Sequence, residues 1–579
     1  MDIPNQKTTI GNLFAGKRKF AVPSFQRAYS WQVGNGDQVG QFLRDIREQG
    51  TGKQYYLGHF LFECASGSDV LQVVDGQQRL TTTVVFMSCL ISECEKRGFK
   101  RLGEVDVEEI SETYLEHRGQ KFQTVKEDAA FFLQRIIKRD ASATRTTARK
   151  SEGCLKAAAD FFSTELAAAS ADELAVWYQV LSDAIITTYT IEGGDTQAMS
   201  AQIFSFQNDR GKGLTTLEKV KAWMIYQAYR NAEPENTSYL ISVLEVKFSE
   251  IYGLTECLQN TSEDVVLGWH RQAFIDGWDD GALDAVKRSF DKAKDKIEWL
   301  LEFSARLAQT FRYVYELEQT AERWDGLIAD ICCLGKASAM PLLIKLRHFA
   351  PPPEASQQAL ALIENILFKL TFQNAGYRTN KLAQFARNYT GTNFESNLLP
   401  DLKRAAQYGF QGYWDFCGSC LRYFTENRNH YISELKYILY KYENYLRANR
   451  GEQPLDISAC RAIFCGNQRV ENTLDHITPG EPDFTEYTDA FKRDYLCNLG
   501  NLSLLTWSKN ASKNNHDPTL PEIRKKYDTP YFSQKEIFQV LCQGRWKEAE
   551  IEDRRRRIVA FVIEHWHLGE PESFQGAAT

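Results

Sequence analysis

A short polar constellation set in apolar sequence constrains the C-terminal part of this chain more than any other feature. Leu474-Asp475-His476-Ile477-Thr478-Pro479 is answered by Gly500-Asn501-Leu502 and then by Asn510. Thr473 to Ile477 has the content of a strand, and Leu499 to Thr506 that of a second strand able to pair with it. Ser508 then opens a helix carrying Asn510, Lys513 and Asn514, so the expected unit is strand, strand, helix. Neighbours in a strand point to opposite sides, which gives Asp475 and His476 different surroundings. Asn510 and Asn514 stand one helical turn apart and would share a face.

Those residue types suit the hydrolysis of a phosphodiester. That reaction needs an activated water, relief of charge on the phosphate and help for the leaving oxygen. A histidine titrating near neutrality can serve as base, and a divalent cation held by oxygen ligands supplies the rest. The ordered set resembles the HNH nuclease module, in the form with Asp-His first and Asn at both later positions. The resemblance implies His476 as general base, Asp475 and Asn510 as metal ligands, and Asn501 as the residue holding the loop that orients His476. It also places Lys513 near the phosphate. A third histidine is missing, and a neutral Asn oxygen favours Mg²⁺ or Mn²⁺ over Zn²⁺.

A second constellation lies near the N-terminus, in Gln26-Arg27, Tyr29-Ser30-Trp31, Tyr56-Leu57-Gly58 and Asp75-Gly76-Gln77-Gln78-Arg79-Leu80-Thr81-Thr82. The last of these comes after a strand and opens a helix. Gly76 allows a tight turn, and the backbone N–H groups with the helix dipole make an anion site. Gln77, Gln78 and Arg79 add donors there, and Asp75 could hold a cation beside a phosphate. Read locally, the same segment is equally a polar helix start with a surface Arg. These motifs, with Ile203-Phe204, Asn208-Asp209-Arg210-Gly211, Leu214 and Lys221, resemble the N-terminal domain of GmrSD-type enzymes, which are type IV, modification-dependent restriction proteins. Glu218 stands where the family pattern has Asp. The resemblance covers roughly residues 5–225 and 430–570, including Trp546, Ile551, Arg554 and Trp566 near the end.

The resemblance implies a gated machine. A ParB/sulfiredoxin-like N-terminal domain would bind and hydrolyse NTP and sense modified double-stranded DNA, and an HNH domain would nick or cut it in antiviral defence. Gln26, Arg27, Asp75, Gly76, Gln77, Gln78, Arg79, Asn208 and Arg210 would form the nucleotide site. No Gly-rich loop ending in Gly-Lys-Ser/Thr is present, so the nucleotide chemistry is not of the P-loop kind. Two other readings stay open: a non-catalytic, nucleotide-dependent DNA-binding regulator with a ParB-like clamp, and an RNA-directed nuclease.

Length and composition set the frame for these motifs. At 579 residues the chain exceeds one core, and 43% hydrophobic with 25% charged residues is ordinary for a globular protein. The expected fold is α+β and mostly helical: residues 1–230 as the sensing domain, 231–400 as a helical platform and 401–579 as the nuclease domain. A net charge of −7 excludes a general polycation that coats nucleic acid, so any DNA contact must be local. No run approaches 18 apolar residues and the N-terminus lacks a signal pattern, which predicts a cytoplasmic chain without membrane contact. A homodimer is left open.

Cys417, Cys420, Cys460 and Cys465 read as buried thiols rather than a zinc site. The four arginines Arg554 to Arg557 read as a solvated helix face, with contact to a DNA backbone as the alternative. His565 and His567 beside Trp566 read as terminal packing.

Overall fold

The computed structural model describes residues 5–23, 26–34, 37–49, 55–64, 69–140, 149–192, 215–258, 261–275, 281–319, 326–372, 381–410, 416–426, 434–455 and 472–569. The protein is mostly helical with one mixed sheet and two small hairpins, consistent with the α+β expectation. Asn208 and Arg210, the helix expected over 196–208 and the Cys460 and Cys465 pair lie outside the described residues. The chain divides into two compact units, one of Met1–Arg271 with Gly277–Glu318, the other of Gln272–Asp276 with Gln319–Thr579. The helical stretch 231–400 is thus shared between them. No helix among the described residues is long and apolar enough to cross a membrane.

In the first unit the strands are β1 (Asn5–Thr9), β2 (Lys19–Ala21), β3 (Tyr56–Cys64), β4 (Val70–Asp75), a hairpin of β5 (Arg101–Leu102) and β6 (Val105–Asp106), β7 (Phe122–Gln123) and β8 (Ile185–Glu192). Six of them form a sheet in the order β1-β8-β3-β4-β2-β7. The β1/β8 and β3/β4 pairs are antiparallel, whereas β3/β8, β2/β4 and β2/β7 are parallel. Large apolar side chains such as Phe20, Phe60, Phe62 and Ile186 share one core with Leu80, Val84 and Phe86 of the Gln77–Lys96 helix, which removes their surface from water. That helix is apolar over most of its circumference and correspondingly buried.

The Thr216–Asn231 helix starts as its sequence predicts. Thr215 accepts the Glu218 N–H (3.3 Å), and the Glu218 carboxylate accepts the Thr215 N–H (2.8 Å) in a capping box.

The second unit wraps helices around a two-stranded hairpin of β9 (Asn472–His476) and β10 (Leu502–Thr506), paired antiparallel with His476 opposite Leu502 and Asp475 opposite Ser503. Leu474, Leu502 and Leu504 join the core made by the Leu435–Ala448 and Glu548–His565 helices, with Trp566 stacked on Phe368 at 3.6 Å. Contrary to expectation, Leu499–Asn501 is not the start of the second strand but a 3-10 turn before it. The Asn498 side chain accepts the Gly500 N–H (2.9 Å), and Arg554 donates to the carbonyls of Gly500 (2.9 Å) and Leu502 (2.7 Å), so side chains replace the ladder partner.

Candidate active site

β9 sends its side chains to two sides, as alternation requires. Thr473 and Asp475 face the Trp507–Lys513 helix. The Asn510 amide donates to the Thr473 hydroxyl at 2.8 Å, and the Lys513 ammonium donates to Asp475 Oδ1 at 2.6 Å. Residues two apart on the strand thus meet residues three apart on the helix, and this match sets the docking angle of the two elements. The helix stops at Lys513 because Asn514 turns to a positive φ of 52°. Asn514 is therefore outside the helix and does not extend the Asn510 face, contrary to the expected longer helix.

His476 ends the strand on the other side, half-buried, with its Nε2 3.6 Å from the Cys497 sulfur. Burial lowers the affinity of its ring for a proton below the usual histidine range. Asp475 pulls the other way and Lys513 adds to the lowering. A neutral imidazole at neutral pH is the form a general base needs.

Asn501 is fully buried behind that residue. Its Oδ1 accepts the Thr478 N–H (2.9 Å) and the Trp546 indole N–H (3.2 Å), while its Nδ2 donates to the carbonyls of Thr478 (3.2 Å) and Leu496 (2.8 Å). With four hydrogen bonds made, this amide has no capacity left for a ligand. It fastens the turn after His476, in keeping with the loop-holding role expected of it, but from a 3-10 turn rather than a strand. Gly500 beside it is required by close approach, since a Cβ there would run into the Ile551 carbonyl of the last helix.

Lys513 departs from its expected position at a phosphate. It is only 2% exposed, and besides Asp475 its ammonium reaches the carbonyls of His476 and Ile477 and the Tyr527 hydroxyl. Asp475 is equally buried, at 2% exposure, and its Oδ2 accepts the Tyr527 O–H at 2.6 Å. The donor types of Asp475 and Asn510 are those Mg²⁺ takes, but both oxygens of this carboxylate are engaged and closed to solvent. In this arrangement the residues do not fit a hydrated divalent ion. Among the described residues no group of three His, Cys, Asp or Glu side chains could hold a metal. Cys417 donates to the Gln407 carbonyl (2.9 Å), and burial pushes the Cys420 thiol up.

Tyr527 and Arg554 are the residues sequence reasoning missed as parts of this site. Arg554 and Arg555 are buried, the second donating to the carbonyls of Phe424 (2.6 Å) and Thr425 (2.9 Å), so half of the arginine run is internal scaffold rather than solvated face. Arg557, which pairs with Asp553 at 3.1 Å, keeps the expected exposed position.

The N-terminal motifs also meet, and mostly hold one another. Gln26 donates to the Val74 carbonyl (2.8 Å) and Gln77 to that of Arg27 (3.0 Å). Gln78 accepts the Ser30 N–H (2.9 Å) and donates to the Ala28 carbonyl (3.1 Å). Arg79 forks onto the carbonyls of Leu57 (3.1 Å) and His59 (2.9 Å), lies over the Phe60 ring at 4.8 Å and stands 3.6 Å from Asp75. Gly58, at φ 118°, leaves room for that guanidinium, and Gly76, at φ 89°, closes the turn against Phe60. Arg27 pairs with Glu218 at 3.3 Å. One helical turn on from Glu218 lies Lys221, buried over the Tyr252 ring at 5.5 Å, and desolvation brings its ammonium down to about 7 against the pull of Glu245 and Glu218. The three glutamine amides are thus committed, while Arg27, Asp75 and Arg79 keep partly open surfaces.

Comparison with known families gives the class to which these two sites point. Residues 10–225 match the N-terminal domain of GmrSD restriction endonuclease, and residues 419–561 match the C-terminal domain of GmrSD restriction endonucleases. The two matches stand in chain order without overlap and take in both constellations. They support a GmrSD-type restriction endonuclease, a nuclease of restriction defence that acts on DNA. A comparison with curated proteins found no match.

Proposed function

We propose that the chain is an NTP-responsive DNA endonuclease directed at modified phage DNA, with a ParB/sulfiredoxin-like sensing domain and an HNH-type cutting centre at Asp475-His476. The observation that carries this reading is the pairing of a half-buried, neutral His476 with the fully bonded Asn501 behind it. A base must be both unprotonated and held still, and these two residues meet the two needs separately. His476 takes a proton from water as its oxygen attacks phosphorus. The P–O bond to the leaving sugar oxygen breaks, and that oxygen gains a proton from solvent. Asn501 keeps the turn, and so the imidazole, in position through the step. Mg²⁺ or Mn²⁺ would offset phosphate charge when bound.

In the N-terminal unit the nucleotide meets the start of the Gln77–Lys96 helix, where Arg27, Asp75 and Arg79 form the rim and Gln26, Gln77 and Gln78 hold the frame. The test compares phage DNA carrying hydroxymethylated or glucosylated bases with unmodified DNA, with and without ATP or GTP, in Mg²⁺. Cutting of modified DNA that depends on nucleotide is expected. Equal cutting of unmodified DNA without nucleotide would remove the sensing half of the proposal.

A further inference from the structure

The Lys513 ammonium is surrounded by oxygen. Asp475 Oδ1 is 2.6 Å away, and the Ile477 carbonyl and Tyr527 hydroxyl are each at 3.4 Å, with the His476 carbonyl also bonded to it. One carboxylate, two backbone carbonyls and one hydroxyl form the kind of set that hard cations take from proteins. An ammonium is a compact point charge with three donors, so it fills such a set without matching a fixed fork geometry. The second carboxylate oxygen is held by the Tyr527 O–H at 2.6 Å, which keeps the group aimed at that centre. A lysine at the end of a short helix more often extends into water, yet this one is 2% exposed.

From this geometry we infer that Asp475, the carbonyls of His476 and Ile477 and the Tyr527 hydroxyl form a cation site whose resident is the Lys513 ammonium, and that a divalent cation binds there only by displacing it. The inference rests on the nuclease reading for its use, but its geometry does not. It accounts for the closed carboxylate at the centre: the site is filled from within. Lys513 sits on the last turn of its helix, immediately before the positive-φ Asn514, so unwinding one terminal turn is enough to withdraw it. Such ends open more readily than helix interiors. Asn510, one turn earlier and bonded to Thr473, stays with the strand.

Binding of Mn²⁺ to the full-length chain, measured by calorimetry, tests this without any cleavage step. Lys513→Met removes the resident charge and keeps the apolar stem. It should bind Mn²⁺ at least about tenfold more tightly than the wild type, the least that removing a competing unit charge from the same oxygens should give. Its Tm should fall in EDTA, because Asp475 is left buried and unpaired, and recover on addition of Mn²⁺. Adding Asp475→Asn should abolish both the gain in binding and the recovery. If Lys513→Met does not fold, Lys513→Gln carries the same expectation. Equal Mn²⁺ affinity in wild type and Lys513 variant, or a gain that survives Asp475→Asn, would overturn the inference. Neither result bears on whether His476 is the base, which activity of a His476 variant decides separately.

Discussion

Asn501 bonds both faces of one peptide residue: its side-chain oxygen accepts the Thr478 N–H at 2.9 Å and its side-chain nitrogen donates to the Thr478 carbonyl at 3.2 Å. Through this double contact a buried amide takes the place of a strand partner two residues beyond His476. Strand pairing ends at His476, so without Asn501 the next turn would lack its main polar tie.

Asn501→Ala is therefore expected to lower stability as well as activity. It leaves the Thr478 N–H and the Trp546 indole N–H without their acceptor in a buried place, a loss of about 2–4 kcal/mol at 1–3 kcal/mol for each orphaned group. Chemical unfolding of the full chain, followed by the fluorescence of Trp546 and its neighbours, measures it. A variant as stable as the wild type would show that the turn is held by other means.

Gly58→Ala tests the N-terminal motif. Position 58 has φ 118°, and an added Cβ would meet the Arg79 guanidinium. The expected result is a loss of about 2–4 kcal/mol from backbone strain and overpacking together. Nucleotide binding should weaken with it as Arg79 is pushed from Leu57 and His59. Arg79→Ala, which vacates the space, should make a subsequent Gly58→Ala less costly than it is alone, a coupling a double-mutant cycle resolves.

Lys221 gives a pH dependence with a definite sign. Its folded value of about 7 lies below the ordinary 10.5, so between those values the unfolded chain holds more protons than the folded one. Stability contributed at this position is present at high pH and is lost as pH falls toward 7. Relative to Lys221→Met, the wild type should gain about 1 kcal/mol per pH unit between pH 7 and 9. Hydrogen exchange of the Thr216–Asn231 helix, compared between the two chains at each pH, reads the difference. A constant difference would mean that Lys221 stays charged.

Much of the fold was legible locally. Apolar and β-branched runs placed β3, β4, β8 and β9, and Thr215 with Glu218 marked a helix start that the capping box realises. What could not be read were side chains whose partners come from distant segments. Lys513 looks like a surface residue of a polar helix until Tyr527 and Asp475 close around it, and Tyr527 lies 52 positions from that aspartate. Arg554 and Arg556 are indistinguishable by sequence, yet the first meets the carbonyls of Gly500 and Leu502 while the second is exposed. Likewise, Gln26, Gln77 and Gln78 carry the donors a nucleotide site wants, and the folded chain uses those donors on its own backbone. Local pattern specifies which groups are polar; only packing decides whether a ligand or the chain satisfies them.

His476 as the base of a DNA-cutting centre is the claim on which the rest depends. Conversion of supercoiled modified plasmid to nicked or linear form, by wild type and by His476→Ala with Mg²⁺ and nucleotide present, tests it most directly. The imidazole is half-buried at the end of β9, outside the Leu474, Leu502 and Leu504 core, so the substitution should leave the fold intact by circular dichroism. The rate should be lower by about 10² to 10⁴, the usual cost of removing a general base. Cutting by His476→Ala at the wild-type rate would contradict the assignment.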